Sequence, residues 1–179
     1  MKIFKSFTTL GISAIACSIA FSSHAQTQPT LSDPEIASVA VVANQVDIGY
    51  AAIAKSKSQD PDILKFAQTM ANDHQAVINQ AAALVKKLGV TPKDNGVSQK
   101  LSSDASKTRK SLNSKTGNAF DKAYIDNEVA YHKAVISTVE TVLIPQTKNS
   151  ELKDLLRNVV PTLKAHLEHA EMVQSKISK

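Results

Sequence analysis

The stretch at 69–89, TMANDHQAVINQAAALVKKLG, reads as an amphipathic helix with one histidine in its apolar stripe. Extended back to Ile63, the line Ile63, Ala67, Met70, His74, Val77, Ala81, Leu84, Leu88 advances in steps of four and three without a break. That spacing is one helix face turned toward a core. A leucine would pack better at position 74, since a buried polar group without a partner costs on the order of 1–3 kcal/mol. The same line therefore sets the fold class and raises the question of function.

Working outward, Asp60-Pro61-Asp62 supplies a cap, a proline suited to the first helical turn and an early acid, so this helix starts there and stops at Gly89. Lys86 and Lys87 occupy its last turn, where they suit the helix dipole. Ser32-Asp33-Pro34-Glu35 repeats the device and opens a helix over about 33–57. Residues 90–117 are rich in Ser and Lys but hold Val97, Leu101, Ala105, Thr108 and Leu112 at helical spacing. They predict a crossover carrying a short, half-exposed helix of about 17 residues, which at 1.5 Å per residue spans some 25 Å. A third long helix begins near Asn118 and ends before Pro145, and a fourth runs from about Asn149 to Ile177, with a kink or break expected at Pro161. A long crossover makes the topology up, down, down, up. HQAVINQ at 74–80 echoes HKAVIST at 132–138, consistent with two related helical hairpins.

The other seams repeat the anomaly. Ile125, Val129, His132, Ile136, Val139, Leu143 and Leu152, Leu156, Val159, Leu163, His166, Ala170, Val173, Ile177 are each apolar but for one His. Ile36, Ala40, Ala43, Asp47, Tyr50, Ala54 carries an Asp in the same place. Measured from the caps, all four groups lie about 21 to 26 Å along helices about 36 to 42 Å long, so they meet near mid-bundle whichever way each helix points. Three imidazoles and a carboxylate suit a divalent transition metal such as zinc, copper or iron. Glu128, one turn before His132, offers a second carboxylate, and Asp73, Tyr50, Tyr131 and His169 are candidate partners for the outward ring nitrogens. The alternative is a metal-free hydrogen-bond network that fixes helix register in an envelope structural or interaction module. Buried neutral imidazoles predict a fold that weakens on acidification through about pH 6. No nucleophile–base pair, phosphate loop or carboxylate dyad is visible, which leaves an enzymatic role without support in the sequence.

Composition narrows the class. Lys2 and Lys5, the apolar run through Phe21 and Ser23-His24-Ala25 predict a secretory signal peptide over 1–25, cut after Ala25. A rival reading makes Cys17 a lipid-anchored N-terminus, but Ala14 stands where a larger aliphatic is usual and the apolar run continues past the Cys. Cleavage after Ala25 leaves no Cys, a polar leader over 26–32 and one four-helix domain over 33–178, periplasmic or secreted. No later stretch reads as a membrane span. Of the 21 Lys and Arg, two fall in the signal, leaving 19 against 16 acids, too mild an excess to imply nucleic acid. Partners, if any, are expected among envelope proteins.

FAQTMANDH (Phe66 to His74), FDKAYIDNEVAYH (Phe120 to His132) and PTLKAHLEHA (Pro161 to Ala170) resemble the three marks of a mostly bacterial family. That family is domain of unknown function forty-one forty-two, of the ferritin-like superfamily, often labelled "predicted outer membrane protein". The resemblance spans about residues 33–175 and implies a ferritin-like four-helix bundle. The family's recurring helix-one acid aligns with Asp47, where Glu is commoner, so the carboxylate here is one carbon shorter. The superfamily's di-iron pattern sets Glu three residues before His on two helices. Here Ala71, Val129 and Leu163 precede the three histidines, so ferroxidase or oxygenase activity is not implied.

Overall fold

The computed structural model describes residues 29–177, and every described element is helical. The expected signal peptide, its cleavage site and Cys17 lie outside the described residues. The helices are α1 (Asp33–Lys57), α2 (Pro61–Leu88), α3 (Gly96–Asn113), α4 (Gly117–Thr138), a π-helical turn (Val139–Leu143), the short α5 (Ile144–Gln146) and α6 (Ser150–Ile177).

The caps work as the sequence predicts. Glu35 accepts hydrogen bonds from the Ser32 backbone N–H at 3.0 Å and the Ser32 hydroxyl at 2.6 Å, closing the first turn of α1. Asp60 Oδ1 accepts from the N–H groups of Asp62 and Ile63, and Gly89 ends α2 at φ +62°, a left-handed conformation that favours glycine. The leader is not wholly outside the fold. Leu31 is buried and its N–H donates to Gln146 Oε1 at 2.7 Å.

Contacts at the helix ends fix the directions. The Lys93 N–H donates to the Pro34 carbonyl and Asn95 Nδ2 to the Glu35 carbonyl, so α3 starts beside the beginning of α1. It finishes at the far end, where Lys57 Nζ donates to the Asn113 carbonyl at 2.7 Å. There α4 begins, with Lys57 Nζ 5.8 Å from the Phe120 ring centre. The chain then returns to the start of α1, where Asp33 accepts from the N–H groups of Lys148 and Asn149, both at 2.8 Å. Finally α6 runs back, from Glu151 paired with Lys87 to Lys176 paired with Asp62. Thus α1, α3 and α6 point one way, and α2 and α4 the other. Gly49 of α1 faces α3, where an added Cβ would lie 3.2 Å from Arg109 Nη1.

Three expectations need correction. The third long helix does not stop before Pro145, because the π turn and α5 carry it through. Proline has no N–H for the Thr141 carbonyl, and in a regular helix its ring would clash there, so a wider turn just before it relieves the conflict. Of the kink or break expected at Pro161, the break does not occur, and α6 stays helical through that residue. Pro161 and Arg157 are both exposed, so water can serve the carbonyl that the ring leaves unpaired. Finally, α1 is long and apolar enough by composition to cross a membrane, contrary to the expectation of no later span. In this fold its Ile36, Val46, Tyr50 and Ala54 pack into the core.

The core forms two apolar clusters. One gathers Ile63, Phe66, Phe120, Tyr124 and Ile125, and the other Ile36, Leu143, Leu152, Leu156 and Leu163. Replacing the fully buried Phe66 by Ala should cost about 3–5 kcal/mol, seen as a lower melting temperature with metal binding unchanged in stoichiometry. Asp60→Ala, which removes one cap, should cost about 1 kcal/mol by the same measurement.

Candidate metal centre

Between the two clusters the helices bring Asp47, His74, Glu128, His132 and His166 together, each at most 5 % exposed. The ring centres of His74, His132 and His166 lie 5.2 to 5.7 Å apart. One ring nitrogen of each is held by an acceptor other than the clustered side chains. The Asn44 carbonyl oxygen lies 2.7 Å from His74 Nδ1, the Glu128 backbone carbonyl 3.0 Å from His132 Nδ1, and Asp73 Oδ2 2.9 Å from His166 Nε2. All three partners are acceptors when Asn44 is oriented as described, so each of those nitrogens carries the proton and donates.

The tautomers follow. His74 Nε2 and His132 Nε2 keep their lone pairs, and these two nitrogens and His166 Nδ1 are buried without a hydrogen-bond partner. The three side chains offer ligand atoms all within 4.8 Å of one another. Asp47 Oδ2 stands 3.5 Å from His74 Nε2 and 3.7 Å from His132 Nε2. Those separations exceed a good hydrogen bond. They approach the roughly 3.3 Å that separates two ligands each about 2.0–2.1 Å from a tetrahedral ion. Glu128 Oε2 lies 3.6 Å from His132 Nδ1, on the other side of that ring, so Asp47, Glu128 and His132 form a second group of possible ligands.

Burial dominates the electrostatics. It pushes the Asp47 carboxyl up to about 7, with the neighbouring Glu128 carboxyl pulling the other way. Burial and then the Asp47 charge hold Glu128 well above the usual carboxylate range. Burial and then the neighbouring His166 and His132 rings bring His74 down to about 3. Burial brings His132 down to about 4, against the bond to the Glu128 carbonyl, which favours the charged ring. Without a cation, the arrangement therefore sets neutral His74 and His132 beside carboxyl groups that hold protons.

Of the expected outer partners, Asp73 meets His166. Tyr131 instead donates to the Ala43 carbonyl at 2.8 Å and packs edge-on against Tyr50, and His169 stacks edge-on against Phe66. Sequence reasoning missed Asn44 and the Glu128 carbonyl. Asn44 lies one turn before Asp47 and could have been found as a polar neighbour of that seam; a backbone carbonyl leaves no mark in the sequence. It also missed the adjacency of the Asp47 and Glu128 carboxyls, which come from different helices.

Fold and site define an all-α protein of long packed helices with a buried cluster of histidines and carboxyls. The chain belongs to the family of the domain of unknown function DUF4142, whose model matches residues 19–173. None of the curated proteins matches it in sequence. Among solved structures it is similar to "CopM in the Cu(II)-bound form", with 13 % identity, a TM-score of 0.62 and coverage of 83 % of this chain and 99 % of that one. At that identity the likeness speaks for the helical fold.

The pKa shifts set a pH dependence for the metal-free protein. Unfolded, His74 and His132 take up protons near 6.5, but folded only near 3 and 4, so on their own they weaken the fold as pH falls below about 6.5. Asp47 and Glu128 act oppositely. Folded they hold protons that the unfolded chain releases near 3.8 and 4.5, so they weaken the fold as pH rises. The two slopes offset each other between about pH 4.5 and 6.5. Chelator-treated protein should thus melt at a level temperature across that window and at lower temperature above about pH 7 and below about pH 4. The acid lability expected from the imidazoles alone, a steady decline from pH 7 to 5, would mean that the carboxyls are ionised.

Proposed function

We propose that this protein is an exported ferritin-like bundle, with α1, α2, α4 and α6 running up, down, down, up. In this reading it binds one divalent transition metal through His74, His132, His166 and Asp47, with Glu128 behind His132, and acts in metal handling or stress protection in the cell envelope. The contacts between helix ends support the topology, and the N-terminal sequence supports export. One observation supports the metal reading: three buried imidazoles offer ligand atoms within 4.8 Å of one another, each ring keeping one nitrogen without a hydrogen-bond partner while the other meets a separate acceptor.

A network serving helix register alone fits that observation less well. His74 Nε2 and His132 Nε2 both face Asp47 Oδ2, and a protonated Asp47 has one proton for two imidazoles and the Glu128 carboxyl. The remaining lone pairs stay buried at about 1–3 kcal/mol each, whereas a cation engages all of them together. Imidazole nitrogen with carboxylate oxygen suits zinc, copper or iron. Copper(II), which CopM holds in the similar structure, falls within that set.

His132→Ala should abolish stoichiometric binding in calorimetric titration with Cu(II) or Zn(II) while leaving the helical circular dichroism intact. Retained one-to-one binding would contradict the site. Asp73→Asn, which touches no metal, should weaken binding about 10- to 100-fold by releasing the His166 ring. Because Asp47 and Glu128 hold protons before loading, titration at pH 6.5 in buffers of different ionisation enthalpy should show protons released on binding.

A further inference from the structure

On the side of the histidines toward the start of α1, the bundle does not close. A cleft of about 210 Å³ lies between the α1–α2 and α4–α6 hairpins, lined almost throughout by aliphatic side chains such as Ala40, Val77, Val85, Val135 and Val159. These five are half-buried, so the cleft reaches solvent. Besides Thr138 and Thr162, its polar lining is Asn44, Tyr131 and the His74, His132 and His166 rings. An apolar cavity of about 150 Å³ can stay dry and bind a hydrocarbon. This one is larger, and the three imidazoles in its wall, those of His74, His132 and His166, each carry an unpartnered nitrogen while 5 % or less exposed.

A cavity with aliphatic walls and a single polar end fits a ligand with an aliphatic body and a single polar end. We propose that the cleft binds a single-chain amphiphile with a carboxylate head, its tail between the hairpins and its head at the three histidines. The tail's place rests on the cleft. The head's place rests on the metal reading, because a cation held among the three histidines offers the carboxylate a positive charge. Three imidazoles and one carboxylate also leave room for a fifth ligand on a cation that expands its coordination.

The test uses straight-chain carboxylates from hexanoate to dodecanoate, titrated below their micellar concentrations into the purified protein. Bound Cu(II) is first measured by elemental analysis, and a chelator-treated sample is run alongside. Affinity for the Cu(II)-loaded protein should rise by about fourfold per added methylene until the cleft is full. Dodecanoate, but not acetate at equal concentration, should shift the Cu(II) visible absorption. Val159→Trp, two helical turns from His166, should lower dodecanoate affinity at least tenfold with metal stoichiometry unchanged. Affinity independent of chain length overturns the proposal, and it does so whether or not the tryptophan variant folds. Dodecanol binding as tightly as dodecanoate, or equal dodecanoate binding with and without copper, overturns the place of the head. A sample that takes up no copper before any amphiphile is added contradicts the metal reading itself, a result distinct from the others.

Discussion

Everything in the middle of this molecule depends on three buried imidazoles meeting with their ligand atoms within 4.8 Å of one another. Each imidazole is an inefficient filler for its helix seam, and each could point elsewhere if its outward nitrogen were free. Asn44, the Glu128 carbonyl and Asp73 remove that freedom. The helices are in turn positioned by their ends: Asp33 holds the start of α6 to the start of α1, and Lys57 holds the end of α3 and the start of α4 to the other end of α1. End contacts set the helix offsets, and the offsets set the level at which the polar groups meet.

The polar level divides two unequal halves. Toward the end of α1, aromatic rings fill the space, with Phe66, Phe120 and Tyr124 packed edge-on or stacked at about 6 Å and fully buried. Toward its start the residues are small and branched, and the two hairpins leave a cleft. Aromatics bury large area and close gaps between helices, which alanine and valine at Ala40, Ala43 and Val77 do not. The dense half supplies stability and the open half supplies access, with the centre at the boundary.

Much of this was legible because it is local or periodic. Ser32 with Glu35, Asp60 with Pro61, and Gly89 mark helix ends through short-range hydrogen bonding and backbone freedom, and the four seams align their odd residues because rise per residue is constant. What was not legible needed a partner from another element or a carbonyl. The π turn before Pro145 depends on how the helix relieves one clash, and Asn44 matters only once α1 and α2 are side by side. The cleft escaped for the same reason. Periodicity places Ala40, Ala43 and Val77 on inward faces but does not tell whether the facing helix fills the space, and these three remain half-buried.

The central claim is that one metal ion sits among His74, His132, His166 and Asp47. X-ray absorption at the metal edge, recorded on protein purified with its native metal, tests it most directly. The account predicts nitrogen and oxygen donors at about 2.0–2.2 Å, with the multiple-scattering pattern of three imidazoles. Fewer than three imidazoles, or a sulfur donor such as the exposed Met172, would contradict it.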